Sequence, residues 1–124
     1  MVSTFPDGSI SLVGGRLKFS ETTLEGIQRE VLEETGEYFN SPALFAIVEN
    51  FFYDPVVDKH FHEFLYIYKG QIQAKASYVD DSSAAQVISW MPKSEIELLK
   101  PDVLSDLALR SSEHVVHLIN LESR

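Results

Sequence analysis

Cysteine is absent from this 124-residue chain, which removes disulfide scaffolds, thiolate nucleophiles and Cys-based zinc sites together. Apolar runs are short, none approaching the ~20 residues that a membrane-crossing helix needs. The opening Met1-Val2-Ser3-Thr4-Phe5-Pro6-Asp7-Gly8 has neither the basic nor the apolar block of a signal peptide, so the chain reads as cytoplasmic. Positive charge is also scarce: 10 Lys and Arg stand against 19 Asp and Glu, a formal net charge of −9. Such a surface repels nucleic-acid backbones and anionic membranes, and there is no P-loop and no basic patch. A phosphate-bearing ligand could bind only with local positive charge, for which a divalent cation is the obvious source. What remains is enough apolar sequence, 44%, for one domain with its own core.

The spacing of apolar and turn residues predicts a single α+β domain over 1–124, with a mixed sheet and few helices. Residues 1–8 read as loop, with Pro6 and Asp7-Gly8 as turn signals. Ile10 and Leu12 alternate with serines as a short strand, and residues 16–19 read as a second strand or an extended loop. Residues 23–35 have helical spacing, with Ser20 or Thr22 to cap the start and Gly36 to stop it. Strands are expected over 43–53 and 60–68, pairing across the polar loop 54–59, with a third piece at 71–78 and another strand at 86–91. Two short helices, 94–99 and 102–110, are split by Pro101. Periodicity leaves 115–121 open between strand and helix.

One segment stands apart. On a helical wheel of about 100° per residue, Leu24, Ile27 and Val31 form a narrow apolar stripe. Glu30, Glu33 and Glu34 share an arc of about 100° beside it. Glu-rich helices commonly mark no more than a solvated face. Here, however, Gly15, Glu21, Arg29, Glu30, an aliphatic at 31, Glu33, Glu34 and Gly36 fall at fixed spacings, a coincidence on the order of 10⁻⁷ by average residue usage. Arg29 relieves part of the repulsion among the carboxylates, but one guanidinium is not expected to serve three of them. A hard divalent cation is, since such ions take carboxylate oxygens and substrate phosphates.

Residues 15–37 resemble the Nudix box, G-x5-E-x7-R-E-U-x-E-E-x-G-U with U aliphatic, departing from it only at Glu37. Val13 also stands where many members have proline. Glu49-Asn50-Phe51-Phe52, His62-Glu63 and Trp90-Met91-Pro92 are similar to later features of the family. The resemblance implies a Nudix-like mixed sheet between helices, an α/β/α sandwich. It implies a hydrolase that cleaves the pyrophosphate bond of a nucleoside diphosphate linked to another moiety, using Mg²⁺ or Mn²⁺. Carried over, Glu30, Glu33, Glu34 and the Gly14 carbonyl would hold metal, Glu21 and Arg29 would orient the carboxylates, and Glu33 or Glu34 would help deprotonate the attacking water. Glu49, Glu63, Asp80 and Asp81 remain open as alternative bases. Substrate contacts are expected from Arg16, Phe51, Phe52 and Glu63.

Family domains usually carry a longer segment before the box, whereas 14 residues precede Gly15 here. The chain is therefore expected to be N-terminally shortened, with an exposed sheet edge that favours a homodimer. The alternatives to an active enzyme are a nucleotide-binding module impaired by that loss, and an acidic interaction domain. His60 and His62, two apart on a strand, read as surface histidines, and Trp90 reads as core.

Overall fold

The computed structural model describes residues 1–75, 78, 86–109 and 114–122, apart from the side chains of 93, 106, 108 and 109. The strands divide into two sheets. The first is antiparallel and joins β1 (Val2–Thr4), β2 (Ile10–Leu12) and β5 (Val87–Ser89) in the order β2-β1-β5. The second is mixed: β3 (Asn40–Asp54) lies between β4 (Lys59–Gln71), antiparallel to it, and β6 (Val116–Leu121), parallel to it. The α+β expectation holds.

Strand β1 corrects the reading of 1–8 as loop. Three residues are too few to show a period, and their pairing is set from afar, Val2 opposite Leu12 on one side and Ser89 on the other. The turn signals themselves act as expected: the Gly8 N–H donates to the Phe5 carbonyl, and Asp7 accepts from the backbone and hydroxyl of Ser9. Residues 16–18 are extended loop without strand pairing. The piece expected at 71–78 is not a strand where it is described. Gln71 ends β4 and 72–75 are irregular, in keeping with the low strand preference of Ala74 among polar neighbours. The short helices exist as 3₁₀ turns, Lys93–Leu98 and Asp102–Leu109, since segments this short do not propagate an α-helix by themselves. The open segment 115–121 is settled as strand by its pairing with β3.

Helix α1 (Thr23–Thr35) forms as expected, and Thr22 is its cap. The Thr22 hydroxyl accepts from the Glu25 N–H at 3.1 Å, and the Glu25 carboxylate accepts from the Thr22 N–H at 3.1 Å, a reciprocal capping box. Gly36, at φ 74°, ends the helix in a left-handed turn open to glycine without strain. The stripe is shifted from the expected one: Leu24 is 38% exposed, while Gly26, Val31, Glu34 and Thr35 are buried.

The main core lies on one face of the mixed sheet. Alternate residues Ala46 and Val48 of β3, with Val116 and Leu118 of β6, pack against Val2, Leu99, Leu104 and Leu107. None of these comes from α1, so the acidic helix sits beside the core rather than within it. Among the described residues no helix is long and apolar enough to cross a membrane.

Candidate active site

The loop before α1 and the helix itself are joined by one side chain. Arg29 uses five N–H donors on five acceptors: Nε to Glu21 Oε2 at 2.6 Å, Nη2 to Glu21 Oε1 at 2.9 Å and to the Arg16 carbonyl at 3.1 Å, and Nη1 to Glu30 Oε1 at 2.8 Å and Glu33 Oε2 at 3.3 Å. A planar guanidinium with a fixed fork of donors suits this task, and a lysine could not reproduce it. Of the three helix carboxylates weighed in the sequence, Arg29 pairs with two, Glu30 and Glu33, in keeping with the expectation that one guanidinium does not serve all three; its further partner, Glu21, comes from the loop before the helix. Glu21 takes Nε and Nη2, while Glu30 and Glu33 share Nη1, a division the wheel could not show.

This geometry sets the local electrostatics. Hydrogen bonds from Arg29, and next the Lys18 N–H, pull the Glu21 carboxyl from 4.5 down to about 2. The Arg29 guanidinium is in turn pushed further up by Glu21 and Glu30. Glu30 lies directly against the glycine loop: a Cβ added at Gly15 would stand 2.6 Å from its carboxylate. Glycine at 15 is thus a matter of close approach, not of backbone strain. Glu34 has a different partner. At 5% exposure it is buried, and its Oε1 accepts from Gln86 Nε2 at 2.9 Å.

A cavity of about 1080 Å³ opens beside these groups, bounded by Gly14, Gly15, Arg16 and Glu30 on one side and by Phe61, Glu63, Leu65 and Ile67 of β4 on the other. It reaches the upper end of the range for small-molecule sites. Glu63 is held at its wall by Asn50 Nδ2 at 2.9 Å, and Asn50 Oδ1 accepts from Asn120 Nδ2 at 2.7 Å. Since a carboxylate only accepts, the direction of this ladder across three strands is fixed from Glu63 outward.

The remaining expected residues scatter. Phe51 stacks on His62 with ring centroids 3.9 Å apart, on the sheet face away from the core. Phe52 stacks on Phe61 at 5.1 Å and so reaches the cavity only through that ring. Glu49 is occupied by His117 Nε2 at 2.8 Å. Asp80 and Asp81 lie outside the described residues. Trp90 departs from its expected core place: it is 51% exposed at the cavity wall, and its ring N–H donates to the Tyr78 hydroxyl. Glu37, the departure from the box pattern, pairs with Lys75. Asn120, Gln86 and Ser3 were not singled out by the sequence. Asn50 stood in a recognised stretch, and its one usable signal was being a polar residue on the inward side of an apolar strand.

Among the described residues, no three His, Asp or Glu side chains are already gathered as a metal-holding group. The donor set still suits a hard cation. Glu30 and Glu33 converge on one positively charged nitrogen, Arg29 Nη1, and the loop glycine leaves the Glu30 carboxylate room.

Comparison with known proteins bears on the whole chain. The family model described as NUDIX domain matches residues 2–110. No curated protein matches. Among solved structures, the crystal structure of the mutator MutT protein from Bacillus halodurans superposes with a TM-score of 0.60 and 19% identity, covering 97% of this chain and 81% of that one. At that identity the likeness is one of fold.

Proposed function

The chain belongs to the NUDIX family, and from that premise we propose that it hydrolyses the pyrophosphate bond of a nucleoside diphosphate linked to another moiety, by attack of water on phosphorus. The observation that carries this is the Arg29 clamp, which holds Glu21, Glu30 and Glu33 together, with Glu30 on the wall of a largely apolar cavity of nucleotide size. Glu30, Glu33 and Glu34, with the Gly14 carbonyl, are the groups to hold Mg²⁺ or Mn²⁺. When bound, such an ion neutralises diphosphate charge and lowers the pKa of water.

The chain's own residues do the rest. Arg29 and Glu21 keep the carboxylates of the helix and the loop in one arrangement, so little reorganisation is needed at reaction. Of the two acids proposed to take a proton from water, Glu33 and Glu34, Glu33 is favoured by its openness, 42% side-chain exposure. Arg16 at the cavity edge supplies positive charge for a phosphate, and Glu63 offers acceptors to the group beyond it. The acidic surface argues against nucleic acid as substrate. We further propose a homodimer, supported by the open outer face of the mixed sheet, where Phe64, Tyr66, Ile119 and Leu121 are each more than 40% exposed.

Incubation with ADP-ribose, dinucleoside polyphosphates, nucleotide sugars and nucleoside triphosphates, in Mg²⁺ and then Mn²⁺, tests the proposal. Turnover of at least one diphosphate-linked compound, lost in Glu33→Gln, is the expected result. Silence across the panel with either metal overturns it.

A further inference from the structure

Glu34 is the one charged side chain among the described residues that is fully buried, at 5% exposure, and its environment is supplied from far along the chain. Gln86, just before β5, donates Nε2–H to Glu34 Oε1 at 2.9 Å. The other end of the same amide accepts from Ser3 Oγ at 2.8 Å. Ser3 is 2% exposed on β1, opposite Ile88 of β5. An ionised carboxylate only accepts, so the amide nitrogen must face Glu34 and its oxygen must face Ser3; the serine hydroxyl must then donate. The relay has one possible polarity, and it ties the acidic helix to the β2-β1-β5 sheet.

From this geometry we infer that Gln86 is a positioning residue for Glu34, with Ser3 setting the orientation of the amide. The inference rests on the reading above that Glu34 is a cation ligand. Side chains that hydrogen-bond a metal ligand fix its orientation, and their loss typically lowers metal affinity roughly 10- to 100-fold. Gln86 does this for the acid that the Arg29 clamp does not reach. The two devices divide the helix between them: Arg29 holds Glu30 and Glu33 from the loop side, and Gln86 holds Glu34 from the sheet side.

The test is calorimetric titration of the whole protein with Mn²⁺ alone, comparing wild type, Gln86→Met, Glu34→Gln and the double variant. Methionine keeps the length and volume of the side chain and removes both hydrogen bonds. The expected result is affinity lowered about tenfold or more by Gln86→Met in the wild-type background, and unchanged by it in the Glu34→Gln background. A merely structural role would lower the melting temperature with no change in affinity, or lower affinity equally in both backgrounds, and either outcome overturns the inference. Should Gln86→Met fail to fold, Ser3→Ala is read in its place, with a smaller loss that again vanishes in Glu34→Gln. Wild-type protein that takes up no Mn²⁺ removes the cation reading and this inference with it. Binding that Gln86→Met and Ser3→Ala both leave intact removes this inference alone.

Discussion

The Glu21 carboxyl shows how much one contact does here. Its pKa of about 2 in the folded chain, against 4.5 ordinarily, means that unfolded protein takes up this proton first as pH falls. Its contribution to stability is therefore complete above about pH 4.5 and is lost as pH falls towards 2. Chemical denaturation of metal-free wild type and Glu21→Gln across pH should give a stability gap that is constant near neutrality and closes through that window. A gap of the same size at pH 2.5 would contradict the Arg29 clamp as the cause. The participants in this contact were legible: Glu21 and Arg29 stand at box positions, and the resemblance paired them. That Arg29 also reaches Glu30, Glu33 and the Arg16 carbonyl was not, because it depends on how the loop folds back over the helix.

Helix α1 is the element the sequence described best. Its bounds, its glycine stop and one of two suggested caps follow from local chemistry, because capping and propensity act within a few residues. The capping box gives a direct check. Thr22→Ala removes the hydroxyl that accepts the Glu25 N–H, and urea denaturation should show a loss of about 1 kcal/mol. No measurable change would mean that the helix start is fixed by the loop instead. Its buried side was less legible. On the wheel Glu34 lies about 20° from Ile27, at the border of the apolar stripe, and it reads there as part of one acidic arc with Glu30 and Glu33. Its inward turn depends on Gln86, 52 residues away in sequence, and no local pattern announces such a partner. Strand β1 escaped for the same reason, being defined by Leu12 and Ser89 and not by its own three residues.

Across the whole molecule, two sheets meet around a core made largely by β3, β6 and the segment 99–107, while the acidic helix and its loop border the cavity. The strand pairing of β3 and β4 was expected from two strand-rich stretches joined by the polar loop 54–59. The division into two sheets was not, since it rests on β1 pairing with β2 on one side and with β5, far along the chain, on the other. The outer face of the mixed sheet carries the proposal of a homodimer. Light scattering at rising protein concentration should give twice the mass of one 14.0 kDa chain, and a clean monomer would contradict it. The proposed reaction turns on water attacking phosphorus under the direction of the clamped acids. Hydrolysis in ¹⁸O-enriched water, with products weighed by mass spectrometry, tests that most directly. One heavy oxygen on a single phosphate product, formed at least 100-fold more slowly by Glu33→Gln, a loss at the scale of general acid–base catalysis, is the result predicted. Unlabelled phosphate products, or equal rates in the variant, would contradict it.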